Sequence, residues 1–135
     1  MTEKVKENKH DSYESYLINK VGVDPKLLEQ GKEKVKDWTK DDWDKYHNDT
    51  NTITKKFVDA IVTKAQPNSK EVQNIVREHF NLVKIFWTPN KNSYIGLGHM
   101  YSEYADFKNF YDSYHPELTI FLVKAMTIFA ENELI

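Results

Sequence analysis

Apolar residues recur along this chain at intervals of three and four, and no segment shows the strict alternation of a strand. From Thr39, the positions Trp43, Tyr46, Ile53, Phe57, Ala60 and Ile61 make one stripe, with Thr50 filling its gap. That stripe predicts a long helix reaching about Lys64. A second stripe runs through Val72, Ile75, Val76, His79, Phe80, Val83, Phe86 and Trp87. A third predicts a last helix from Pro116, with Leu118, Phe121, Leu122, Ala125, Ile128 and Phe129 facing inward. Between them, Lys91 to Asp112 reads as two shorter helices. Tyr13–Val21 and Pro25–Val35 read as short helices with thin apolar content.

The punctuation agrees with these elements. Asp24-Pro25, Thr88-Pro89 and His115-Pro116 each offer proline at a first helical position, where its missing N–H costs nothing. Asp24, Thr88 and Thr39 are good caps, and Asp41 and Asp42 suit the positive end of a helix dipole. Asn68-Ser69-Lys70-Glu71 opens a further helix after Pro67. The expected fold is all-α, a bundle of six to seven helices. Residues 1–10 are polar and expected to be flexible, leaving residues 11–135 as one domain.

Composition narrows the picture. A chain of 135 residues with 39% hydrophobic and 30% charged residues is globular in character and the size of one domain. With 19 basic residues against 21 acidic ones the net charge is −2, and Arg77 is the only arginine. Phosphate recognition favours a basic excess and forked guanidinium groups, so direct nucleic-acid binding is not expected. No apolar run has the length of a membrane span, and the start lacks a signal-peptide core, which points to the cytoplasm. The absence of cysteine removes disulfides, thiolate nucleophiles and Cys-ligated zinc.

Little of the chain suggests catalysis. There is no HExxH, and Asp42-Trp43-Asp44 lacks the glycine and distal glutamate of a calcium loop. His99 and Glu103 stand four apart, a spacing that could hold a metal on one helical face, but a solvated polar pair is the expected reading. No GxSxG occurs, and Gly96-Leu97-Gly98 is too short for a phosphate loop. Neither a metal nor a cofactor is expected. His79 lies on an apolar stripe, so it is either a hydrogen-bonded core histidine or a polar group in a ligand cleft, with haem ligation a further alternative.

The aromatic residues are the distinctive feature. They make up 13% of the chain, and Phe86, Trp87, Tyr94, Tyr101, Tyr104, Phe107, Phe110, Tyr111 and Tyr114 crowd one stretch. A core is usually filled with leucine and isoleucine, because a buried phenol needs a partner for its hydroxyl. So many tyrosines suggest a cleft walled by flat amphipathic rings, suited to a planar or heterocyclic ligand.

Trp38-Thr39-Lys40-Asp41-Asp42-Trp43, Phe57, Glu71-Val72-Gln73 with His79, Leu97-Gly98-His99-Met100-Tyr101, Phe107, Tyr111-Asp112 and Pro116-Glu117-Leu118 follow one another in a specific order. In that order the chain resembles the TipAS-type antibiotic-recognition domain, the ligand-sensing module of some MerR-type regulators, from about Tyr13 to Leu134. The resemblance implies a globin-like helical bundle with a ligand cleft, and N-terminal helices that act as a lid. It also implies binding of thiopeptide-like or other multi-ring antibiotics. Members that trap thiopeptides carry a cysteine immediately before the Leu-Gly-x-Met-Tyr run; here that position is Gly96. Covalent capture there is excluded. The family's acidic-x-Arg-Phe pattern is Tyr104-Ala105-Asp106-Phe107, and its Pro-Gly-Leu is Pro116-Glu117-Leu118.

The expected function is therefore non-covalent sensing or sequestration of aromatic-rich drugs, not enzymatic turnover. Trp43, His79, Tyr94, Gly96, Met100, Tyr101, Phe107 and Tyr111 are the expected ligand-binding residues. A chain of this length leaves no room for a winged helix-turn-helix, so it reads as a free-standing binder or the sensor part of a longer regulator. A protein-interaction or homodimerisation module is the alternative.

Overall fold

The computed structural model describes residues 13–135; the expected flexible segment 1–10 lies outside them. Residues 13–16 form a helical turn that widens into a π-helical stretch at Leu17–Val21, together α1. Six α-helices follow: α2 (Pro25–Val35), α3 (Lys40–Val62), α4 (Lys70–Val83), α5 (Lys91–Glu103), α6 (Ala105–Asp112) and α7 (Leu118–Glu133). No strand occurs among the described residues, and no helix there is long and apolar enough to cross a membrane.

Local chemistry fixes most helix starts. Thr39 caps α3 through its side chain, and the Asp42 carboxylate returns to the Thr39 N–H, a reciprocal capping box. Asp24 caps α2 ahead of Pro25, and Ser69 caps α4. Helices α5 and α6 fill the expected Lys91–Asp112 span, and the Thr88-Pro89 signal before them goes unused because Asn90 and Ser93 form their own capping box. One start differs from the sequence expectation. Helix α7 begins at Leu118, with Pro116 and Glu117 held in a turn by the His115 carbonyl and ring. Its first turn is served from a distance: Asp112 Oδ1 accepts hydrogen bonds from the Thr119 hydroxyl at 2.7 Å and the Thr119 N–H at 3.3 Å.

Helices α5 and α7 pack together most extensively, and α3, α4 and α6 close around α7. Phe57, Val72, Tyr94, Leu118, Leu122, Met126 and Phe129 form the sealed centre. On α7 the buried face includes Met126, whereas Phe121 and Ile128, expected inward, are only half-buried. The second apolar stripe also ends earlier than its pattern suggests. Helix α4 stops at Val83, and Phe86 and Trp87 follow in a turn whose N–H groups both reach the Val83 carbonyl. That turn receives α2. A Cβ on Gly31 would stand 2.3 Å from the Phe86 carbonyl oxygen, so only glycine lets the two backbones meet this closely.

Candidate functional site

Helices α4, α5 and α6 bring four polar aromatic side chains into the interior. The Tyr94 hydroxyl lies 2.7 Å from His79 Nδ1, and the Tyr101 hydroxyl lies 3.4 Å from His79 Nε2. Tyr101 is in turn hydrogen-bonded to Tyr111, with their ring centroids 5.2 Å apart. The short contact fits a phenol donating to Nδ1, which leaves Nε2 to carry the proton toward Tyr101. Both ring nitrogens are thus engaged. Burial lowers the His79 pKa to about 4, so the imidazole is neutral at pH 7. Burial also pushes the Tyr94, Tyr101 and Tyr111 phenols well above their ordinary range. The cluster is polar but carries no formal charge.

Beyond this cluster the aromatic residues continue in two directions. Phe107 packs on Tyr101 at 5.3 Å and on Tyr13 of α1 at 4.8 Å. In the other direction Tyr46 lies close enough to Tyr101 and Tyr111 to contribute to their raised pKa values. Tyr46 then meets Phe86 edge-on at 5.2 Å, and Phe86 faces Trp43 at an interplanar angle of 21°. Trp38 closes the group, 4.7 Å from Trp43. Trp38, Trp43, Tyr46 and Phe86 are all half-buried, with one side open to solvent. The aromatic seam therefore has two ring-contact groups, Trp38, Trp43, Tyr46 and Phe86 at the start of α3, and His79, Tyr101, Tyr111, Phe107 and Tyr13 from the interior to α1.

The expected site residues divide along this seam. His79, Tyr94, Met100, Tyr101 and Tyr111 come together but are buried. The void beside His79 and Tyr111 measures about 10 Å³, too small for an organic molecule. These residues form the backing of a wall. Phe107 is half-buried at one end, and Trp43 sits apart at the other. Trp38 and Tyr46 were not expected in the site. Tyr46 could have been found, since it stands one helical turn after Trp43 on the same face.

Gly96 occupies a different setting. It lines an open groove of about 450 Å³ between α1 and α5, together with Tyr16, Val21, Ile95 and His99. A Cβ at position 96 would stand 2.6 and 2.7 Å from the two methyl groups of Val21, so glycine here allows α1 to sit flush on α5. Two phenols pin α1 in that seat: Tyr13 donates to Asp106 at 2.7 Å, and Tyr16 is hydrogen-bonded to Glu103. Burial and these carboxylates raise both tyrosine pKa values to about 12. His99 and Glu103 lie along the same groove, but no set of three His, Asp or Glu side chains among the described residues converges to hold a metal.

Residues 13–129 match the family described as the TipAS antibiotic-recognition domain. The chain belongs to that family. TipAS from Streptomyces lividans, solved in complex with nosiheptide, has the same fold with a TM-score of 0.75 and 22% identity. The similarity covers 90% of this chain and 85% of that one. The HTH-type transcriptional regulator SkgA of Caulobacter vibrioides, from two strains, is 27% identical over 127 residues, 92% of this chain. The chain spans about half the length of those curated relatives, 50% in each case. Within the TipAS family, then, this member presents an aromatic seam with one solvent-facing end and a glycine beneath α1.

Proposed function

We propose that this TipAS-family chain binds multi-ring, largely uncharged antibiotics reversibly. On this reading it is the ligand-sensing part of an HTH-type regulator, or a binder that sequesters the drug by itself, and any contact with DNA is made elsewhere. The observation that carries the reading is the half-exposed ring group of Trp38, Trp43, Tyr46 and Phe86 at the outer end of the aromatic seam. Flat rings gain both apolar burial and stacking from such a surface. The neutral His79–tyrosine cluster behind it holds the rings in place without presenting a charge that an apolar ligand would have to desolvate.

In this scheme Trp43 stacks with the ligand, assisted by Trp38, Tyr46 and Phe86, and Phe107 borders it at the far end. His79, Tyr94, Met100, Tyr101 and Tyr111 form the backing, and Gly96 borders the groove under α1. Binding and not turnover is the role these groups suit. The captured ligand named for the Streptomyces lividans relative, nosiheptide, is a suitable first probe. Haem is disfavoured because His79 is buried with both ring nitrogens engaged by tyrosines, so ligation through either one would cost a hydrogen bond.

The test is a titration with nosiheptide and a panel of polycyclic drugs, read by tryptophan emission and by thermal melting. A binder should quench Trp38 and Trp43 and gain about 2.7 kcal/mol at a hundredfold excess of ligand over Kd. Trp43→Leu should weaken both responses while leaving the ligand-free fold intact. Absence of quenching and of any melting shift at tens of micromolar, across the panel, would overturn the reading.

A further inference from the structure

A surface helix usually sets charged residues opposite its core-facing stripe. Helices α2 and α3 do so, but α7 does not. Between Leu118 and Ala130 its only charged residue is Lys124. The inward positions Leu118, Leu122, Ala125, Met126 and Phe129 are buried against the bundle. Outward, Ile120 is 61% exposed, with Phe121, Val123 and Ile128 half-buried beside it. The end of α3 adds Val62, 66% exposed. An open groove of about 290 Å³ runs between α7 and the end of α3, walled by Ile61, Ala65, Ile120 and Phe121.

The charges on this face follow a pattern of their own. Glu117, Lys124 and Glu131 are spaced by seven, two helical turns, and so share one stripe. All three are exposed, and among the described residues none forms an ion pair. Within that stripe the Glu117–Lys124 segment complements itself when reversed, and Glu131 lies beyond the overlap. If a second copy lies antiparallel with its Glu117 beside Lys124, two-fold symmetry forms the reciprocal pair at the same time. The same operation sets Ile120 against Phe121 of the other copy.

We propose that α7 and the end of α3 form an isologous dimer interface between two copies of this chain. Ile120 of each copy enters the groove walled by Ile61, Ala65 and Phe121 of the other, and a Lys124–Glu117 pair closes each end. The apolar patch supplies the burial, and the charges set direction and register. This face does not include the aromatic seam, so the proposal does not depend on any ligand.

Sedimentation equilibrium of the full chain, from low micromolar to submillimolar concentration, tests it. The expected result is a concentration-dependent dimer. Ile120→Glu should be monomeric throughout with an unchanged helical spectrum, because the side chain is exposed within one copy. Lys124→Glu alone should weaken the dimer by about tenfold, since two exposed attractions become repulsions. The double variant Glu117→Lys with Lys124→Glu should recover it. A chain that stays monomeric at every concentration overturns the proposal. So does a dimer that survives Ile120→Glu, or a double variant no stronger than Lys124→Glu.

Discussion

Neutral, buried His79 should make this protein sensitive to acid by an amount the structure specifies. The imidazole titrates at its ordinary 6.5 when exposed, and burial lowers it to about 4 in the fold. A folded pKa below the unfolded one means that the unfolded chain takes up the proton first. The associated stability is therefore fully present above pH 6.5 and is lost progressively as pH falls toward 4. The full shift corresponds to about 3 kcal/mol, and about 2 kcal/mol of it is gone by pH 5. Protonation also forces Nδ1 to become a donor where it now accepts from Tyr94, so the short hydrogen bond must reverse. Urea unfolding at pH 7.5 and pH 5 measures the loss, with His79→Gln as the comparison. The variant is expected to be less stable at pH 7.5 but to lose about 2 kcal/mol less than the parent on acidification. The remaining histidines and the carboxylates are common to both proteins and cancel in the difference. Equal acid losses in parent and variant would refute the argument that His79 is held neutral by burial.

Three further outcomes follow from the packing. Gly31→Ala places a methyl group against the Phe86 carbonyl oxygen, a backbone atom that cannot rotate aside, and should cost about 2 kcal/mol; amide exchange in α2 should rise with it, and unchanged exchange would contradict the close approach. Asp112→Ala removes the acceptor for Thr119 and should destabilise α7 by about 1 kcal/mol, with Asp112→Asn recovering most of it in denaturant unfolding. Lys108 beside it holds the Asp112 carboxyl below its usual range, so this contribution is present at neutral pH and fades as pH drops through the lowered value. Gly96→Ala should unseat Val21 and speed tryptic cleavage after Lys20 while leaving the melting of α3–α7 nearly unchanged; protection equal to the parent's would show that α1 does not depend on the glycine.

Much of the helical frame was legible because it is written locally. The capping box at Thr39, the Ser69 cap and the Asp24-Pro25 start act over two or three residues, so the sequence displays them in full. The start of α7 was misplaced, and the Thr88-Pro89 signal before α5 goes unused, because a proline marks a permitted position and not an occupied one. At α5, Asn90 and Ser93 offered two hydrogen bonds that Thr88 could not match. At α7 the acceptor comes from Asp112, seven residues before Thr119, beyond the reach of any local capping pattern. The site shows the same division. That His79 would find hydroxyl partners could be expected from its apolar stripe, but that they would be Tyr94 and Tyr101 depends on how α4 meets α5. Trp43 seemed to belong with the later tyrosines, whereas Tyr46 and Phe86 stand between them. The carboxylate partners of Tyr13 and Tyr16 lie some ninety residues away in sequence.

The contact between Val21 and Gly96 bears on timing as well as on packing. On the proposed reading, a ligand settling against the α5 backbone at residue 96 would have to wait for α1 to lift Val21 away. Waiting is a unimolecular step, so engagement at this face should level off at the opening rate however much drug is supplied. Departure is equally unassisted by bond chemistry, because residue 96 has no side chain with which to hold a guest. On that reading entry and exit share the one opening of α1, and occupancy there stays reversible.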